Sequence, residues 1–94
     1  MAFNLSFVMH SVEFRRQRYG VSSNTGKAWM SLVFEDSEGY QVECSVPADM
    51  QQDMLDEPLE KGDLCNVALR AVAKADGSSY VQLRSLPELC EVDE

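Results

Sequence analysis

Hydrophobic and polar residues alternate along most of the chain with the two-residue period of a β-strand. From Phe3 to Met9 the apolar residues occupy odd positions, whereas Val12 and Phe14 occupy even positions. This change of parity predicts a β-bulge near His10–Ser11, because one extra residue moves all later side chains to the other face. We therefore predict a long, bent first strand that pairs with two neighbours, as the closure of a small barrel requires. Beyond the bulge, the predicted outward side chains are those of Glu13, Arg15, Gln17 and Tyr19.

The next two strands are predicted to form a hairpin. A polar loop over residues 20–26 precedes the second strand, and Asp36–Gly39 has the composition of a tight turn. Val42, Cys44 and Val46 should face the core in the third strand, which Pro47 ends because proline cannot donate to a ladder. In the second strand, one face carries Met30, Leu32 and Phe34, and the other carries Trp29, Ser31, Val33 and Glu35.

The remaining segments complete a five-stranded pattern. Residues 48–60 are the helix candidate, with one or two turns carrying Met50 and Met54 and ending before Pro58. The fourth strand alternates from Cys65 to Val72. The Asp-Gly pair within residues 74–78 then predicts a hairpin leading to a fifth strand over residues 79–86.

This order predicts an all-β fold, a small five-stranded antiparallel OB-fold (Greek-key) barrel. One short helix or loop lies between strands three and four. The barrel should comprise residues 1–87, followed by an acidic C-terminal tail over residues 88–94.

Length and composition fit one domain in a reducing compartment. The chain has 94 residues, 45% of them hydrophobic, and no apolar run near the roughly 20 residues of a membrane span. Its start has no basic residues followed by an apolar block, so no secretory signal is expected. The three cysteines match neither a disulfide framework nor a zinc pattern. We therefore expect a cytoplasmic protein without a membrane partner.

The net charge of −8 is unevenly distributed. Residues 1–34 hold four basic side chains and one acidic side chain, whereas residues 35–63 hold ten acidic side chains and one lysine. Residues 64–86 hold three basic side chains and one acidic one, and residues 87–94 hold four acidic ones. The four segments therefore carry +3, −9, +2 and −4, which sum to −8. The basic residues lie on the first, second, fourth and fifth predicted strands.

Catalysis finds little support in the sequence. His10 is the only histidine, so neither a Ser-His-Asp triad nor a histidine metal cluster can be built. The carboxylates lack metal-ligand spacing, and no glycine-rich phosphate loop is present. We predict a protein that is not an enzyme, with no catalytic residues, metal site or cofactor.

Basic and aromatic side chains are the strongest candidates for binding. Trp29 either stacks on a nucleic-acid base or packs in the core or a dimer interface. The basic residues either line a groove dotted with aromatic rings or form a solvated face neutralised by the surplus acids. The candidates are Arg15, Arg16, Arg18, Lys27, Arg70, Lys74 and Arg84, with Tyr19 and Tyr80.

The order of several short motifs resembles a known family. Gly20-Val21-Ser22 followed by Gly26-Lys27-Ala28-Trp29 is similar to the first loop and second strand of the filamentous-phage gene V single-stranded-DNA-binding proteins. Residues 55–57, 62–64 and 81–87 fall in register with later segments of that family, so the similarity spans residues 14–87. The chain departs from the family in its acid-rich residues 35–63 and its acidic tail.

The resemblance implies an OB-type barrel, a homodimer, and cooperative binding of single-stranded DNA without sequence specificity. By position, Trp29 would stack on a base, and Arg16, Arg18 and Lys27 would contact the backbone. RNA stays open as an alternative ligand.

Two other functions stay open. The barrel could be a protein-interaction module whose acidic residues 35–63 meet a basic partner such as a replication or transfer enzyme, without binding nucleic acid. A third option is an OB barrel that binds an oligosaccharide. The acidic tail either recruits a replication protein or is a solubilising end.

Overall fold

A computed structural model describes residues 3–90 as six strands and one helix. The strands are β1 (Phe3–Val21), β2 (Ala28–Glu35), β3 (Gln41–Ser45), β4 (Leu64–Ala73), β5 (Ser79–Leu83) and β6 (Glu88–Leu89). The helix α1 (Ala48–Asp56) lies between β3 and β4, as the sequence predicts. No helix within the described range has the length and apolar character that crossing a bilayer requires.

The first five strands close into a barrel because β1 pairs with two partners. Its first part runs antiparallel to β4, from Phe3 opposite Ala73 to Glu13 opposite Leu64. Its second part runs antiparallel to β2, from Glu13 to Val21. The order around the barrel is β1-β2-β3-β5-β4, returning to β1, which is compatible with an OB-like fold. The barrel is mixed rather than purely antiparallel, since β3 and β5 run parallel where Ser45 faces Gln82.

The predicted bulge in β1 is confirmed. The register against β4 shifts between Met9 and Val12, and Ser11 has a φ of 54°, in the left-handed region that non-glycine residues seldom adopt. The Ser11 amide donates to Oδ1 of Asn66 at 3.0 Å, so β4 satisfies the backbone group that the bulge takes out of the ladder.

A second bulge corrects the predicted outward set of β1. The register against β2 shifts between Phe14 and Arg16, so the faces exchange again within the same strand. Gln17 and Tyr19 therefore lie opposite Leu32 and Met30, on the inner side of the strand. The second half of the strand instead presents Arg16, Arg18 and Gly20 outward, on the face of β2 that carries Trp29.

The core lies inside the barrel and follows the predicted alternation. All five strands contribute, and Phe14 and Phe34 meet edge to face with ring centroids 5.8 Å apart. Met54 of α1 is buried against this core, whereas the neighbouring Leu55 is exposed. The buried cluster consists of Val12, Phe14, Met30, Leu32, Phe34, Cys44, Val46, Met54, Cys65, Val67, Leu69 and Leu83.

The start of the predicted tail pairs with the barrel. Leu89 lies opposite Cys65 and Glu88 opposite Asn66, and the Cys90 amide donates to the Leu64 carbonyl at 2.8 Å. The last four residues of the predicted tail, 91–94, lie outside the described residues.

Candidate nucleic-acid interface

Trp29 lies on the outer face of β2, outside the barrel core. It pairs with Gly20, and a Cβ placed on that glycine would come within 3.0–3.1 Å of three atoms of the indole ring. The indole therefore rests against the glycine backbone, a close approach that a larger residue would obstruct. The side chain keeps 40% of its surface exposed. One side of the ring is supported by protein, and part of the side chain is open to solvent.

An ion pair crosses the outer face of β2 next to the tryptophan. Nη1 of Arg18, on β1, lies 3.5 Å from Oε2 of Glu43, on β3. Arg18 lies opposite Ser31, and Glu43 lies opposite Val33, so the two side chains reach each other across the strand between them. Both are about half exposed, at 53% and 48% of their side-chain surface.

Beside this crossing pair, the middle of β2 is buried on both faces. Ser31 and Val33 point outward, yet they are only 7% and 2% exposed. The Arg18–Glu43 pair spans the strand beside them, and Oγ of Ser31 is left without a hydrogen-bond partner among the described residues. The outer face of β2 is therefore a packed surface, from which the indole projects at one end.

Residues of β5 and β4 continue the same outer face. Ser31 lies opposite Ser45, Ser45 opposite Gln82, and Gln82 opposite Arg70. With strands about 4.8 Å apart, the backbone of Arg70 is about 14 Å from that of Ser31 around the barrel. Arg84 follows two residues after Gln82, and its amide donates to the Ala68 carbonyl at 2.9 Å. Continuing the register of β2, β3 and β5 places Arg84 level with Trp29 and two strand spacings away, roughly 10 Å.

The hairpin between β4 and β5 contributes a second aromatic ring. The Lys74 ammonium lies 5.2 Å from the centroid of the Tyr80 ring, within cation–π range, and Tyr80 is exposed. The Ser78 hydroxyl and amide donate to Asp76 and hold the pKa of that carboxyl below its usual value. By strand direction this hairpin lies at the opposite end of the face from the β1–β2 loop, where Lys27 precedes Trp29.

Two predicted site residues lie apart from this face. Because of the second bulge, the Tyr19 side chain leaves β1 on the face opposite to that of Trp29. Tyr19 is nevertheless exposed to solvent. Arg15 lies within that bulge and pairs with Glu13, with Nη1 and Oε1 2.8 Å apart. Gly20, which supports the indole, was not among the predicted site residues; the signal available for it was its place at the start of the predicted loop and of the Gly20-Val21-Ser22 motif.

Most candidate cations of the face are unpaired. Among residues 3–90, ion pairs engage only Arg15 with Glu13 and Arg18 with Glu43. The surplus of acidic residues therefore does not neutralise the outer face by direct contact. Five predicted cations have no carboxylate partner in the described part of the chain, namely Arg16, Lys27, Arg70, Lys74 and Arg84.

The charge on β2 and its neighbours is graded along the strand. At the β1–β2 loop end, Trp29 has Lys27 two residues away and Arg18 on the adjacent strand. At the other end, Glu35 lies opposite Glu13 and is followed by the acidic turn 36–39. An anionic ligand would therefore be favoured at the loop end and repelled at the turn end.

Comparisons of the chain with protein-family models, with curated proteins and with solved structures give no match. The candidate site therefore stands on its geometry and on the motif order of the sequence.

Proposed function

We propose that this protein binds single-stranded DNA without sequence specificity, in replication of phage or mobile-element type. The observation that carries the proposal is the Trp29 indole, supported by Gly20 on one side and open to solvent on the other, on a face rich in unpaired cations. An OB-like barrel commonly binds oligonucleotides on this part of its surface. The resemblance to the gene V proteins supports the same ligand and a homodimeric assembly.

In the proposed complex, a base stacks on the open face of Trp29. Stacking on an aromatic side chain contributes about 1–3 kcal/mol per base and needs no particular base, because every base has a π-face. Lys27 contacts a phosphate at the loop end, and Arg16, which lies opposite Val33, contacts one farther along β2. Arg84 continues the path just beyond the end of β5. Arg70, Lys74 and Tyr80 extend that path toward the β4–β5 hairpin.

Arg18 has a different role in the proposed complex because it already holds Glu43. For Arg18 to contact a phosphate, its guanidinium must leave the carboxylate, whose oxygen is 3.5 Å away. An exposed pair of this kind stabilises a protein by only about 0.2–1 kcal/mol, so a phosphate can compete for the arginine. Glu43 thus lowers the affinity of the face without closing it.

Fluorescence titration tests the proposal, since Trp29 is the only tryptophan of the chain. Adding poly-dT to the wild type should quench the emission to saturation, and added salt should reverse the quenching. Anisotropy of a labelled dT oligonucleotide should show Trp29→Ala binding about 5- to 150-fold more weakly, the equivalent of one lost stacking contact.

Tyr40→Ala is the matched control, because Tyr40 is an exposed aromatic residue at the acidic turn. Equal affinities of wild type and Trp29→Ala, or an affinity that does not change with salt, would refute the proposal. A parallel titration with poly-rU decides between DNA and RNA, and light scattering with and without DNA tests the homodimer.

A further inference from the structure

A groove separate from the nucleic-acid face lies between α1 and the segment after β5. It has a volume of about 410 Å³, within the size range of ligand sites. Its apolar floor is formed by Met54, Leu59 and Leu86, of which Leu86 is exposed. Its rim carries the carboxylates of Asp53, Asp56 and Glu57.

The charges of the rim carboxylates are unfavourable at their end of the helix, although Oδ1 of Asp56 accepts a hydrogen bond from Nε2 of Gln52 at 2.9 Å, a contact that an asparagine can keep. α1 ends at Asp56 with Glu57 as its C-cap, and its last turn contains no basic residue. Because a helix C-terminus carries partial negative charge, anions there are destabilising and cations are favoured. The ion pairs among residues 3–90 engage none of the three rim carboxylates. The groove thus combines an apolar floor with negative charge that no ion pair of the described residues engages.

We propose that this groove docks a basic segment of a partner protein, one that carries arginine or lysine beside a large apolar residue. The apolar side chain would lie on Leu59 and Leu86, and the cations would meet Asp56 and Glu57 at the end of α1. Charge complementarity selects this occupant, because residues 35–63 carry a net charge of −9. A nucleic acid, or the chain's own acidic C-terminal sequence, has the wrong charge.

The apolar floor makes the groove a better site for a peptide than for a small cation. A metal ion or a polyamine would gain from the carboxylates alone, whereas a peptide gains from both the rim and the floor. This inference does not depend on DNA binding, since the groove and the outer face of β2 share no residue.

The test uses the full chain and fluorescein-labelled peptides in an anisotropy titration. One peptide alternates Arg with Leu, and the second alternates Arg with Ser, so that charge is constant and apolar area differs. We expect saturable binding of the Arg/Leu peptide that is at least about 10-fold tighter than that of the Arg/Ser peptide. The floor variant Leu86→Ser should lose most of that difference.

Two charge variants complete the design. The groove variant Asp56→Asn/Glu57→Gln should weaken binding of the Arg/Leu peptide severalfold. The control variant Glu35→Gln/Glu38→Gln removes the same charge at the end of β2 and in the turn that follows, and it should leave the affinity nearly unchanged. The groove variant should also raise Tm by roughly 2–8 °C, because it removes anions from the negative end of a helix. A variant with higher stability and weaker binding cannot be explained by misfolding.

Three results would overturn the inference. Equal loss of affinity in both charge variants would indicate attraction by net charge alone, and equal affinity for the two peptides would remove the role of the floor. A change of oligomeric state in the groove variant, seen by sedimentation, would identify a second copy as the occupant. The dT titration run on the same variants keeps the two proposals separate, because the groove variants should bind DNA at least as tightly as the wild type.

Discussion

Glu43→Gln is the most informative single substitution on the proposed DNA-binding face. It removes the carboxylate that lies 3.5 Å from the Arg18 guanidinium, while the amide keeps the size and one acceptor oxygen. Because both partners are about half exposed, the pair contributes only about 0.2–1 kcal/mol, and we expect the free energy of unfolding to fall by no more than that. Ser31 and Val33 should stay covered, since glutamine is as long as glutamate.

Glu43→Gln should change the affinity for DNA only modestly, but it should change the salt dependence of that affinity clearly. Freeing Arg18 from competition should tighten binding about 1.5- to 5-fold, the equivalent of the lost ion pair. If the arginine then contacts one more phosphate, the slope of log K against log salt steepens by about 0.7. The measurement is anisotropy of a labelled dT oligonucleotide at a series of NaCl concentrations.

Glu38→Gln is the matched control because it removes the same charge at the β2–β3 turn, where only the backbone amide of Glu38 is engaged, by Asp36. If Glu43→Gln and Glu38→Gln gave the same affinity and the same slope, the gain would reflect net charge alone and the role assigned to Arg18 would be wrong. In an Arg18→Gln background, the benefit of Glu43→Gln should largely disappear, since a double-mutant cycle isolates the coupling between the two residues.

Three further predictions concern the barrel itself. Gly20→Ala should displace the indole of Trp29 and shift its fluorescence, because the new Cβ would lie 3.0 Å from the ring; an unchanged spectrum would contradict the contact. Ser31→Ala should be neutral or stabilising by up to about 1 kcal/mol in urea unfolding, since it removes a buried hydroxyl that has no hydrogen-bond partner among residues 3–90, whereas a clear loss of stability would contradict that assignment. Burial raises the pKa of the Cys44 thiol from 9.0 to about 12, so the thiol favours the folded state below pH 9 and that contribution falls as pH rises toward the folded pKa. Unfolding free energies measured between pH 8 and pH 10 should therefore fall more steeply for the wild type than for Cys44→Ala, by up to about 1.4 kcal/mol per pH unit, and parallel curves would contradict the assignment.

The fold could be predicted wherever apolar alternation was continuous. The parity change after Met9 located the first bulge because apolar residues flank it on both sides. Alternation likewise located β4, and the Asp-Gly pair located the hairpin at residues 74–78. These features depend on residues close in sequence, so a single chain is sufficient to predict them.

The candidate site was predictable only in part, because its geometry depends on contacts between distant strands. The second bulge falls in the polar run from Arg15 to Arg18, which has no apolar alternation to report a change of face. The burial of the outward Ser31 and Val33, and the reach of Arg18 to Glu43 across the strand that carries them, depend on neighbouring strands, and no local pattern encodes them.

The acidic net charge of the chain does not by itself argue against an anionic ligand. Glu35 is six residues from Trp29 along β2, about 20 Å at the rise of a β-strand, whereas charges are screened over about 8 Å at physiological salt. The acids at the turn end therefore have little direct effect on a ligand held at the indole. Lys27 and Arg18 lie within a screening length of the indole by sequence and strand pairing, and they would act on a strand already bound. Local charge beside Trp29, rather than the sum over the chain, decides whether its open face can hold a base.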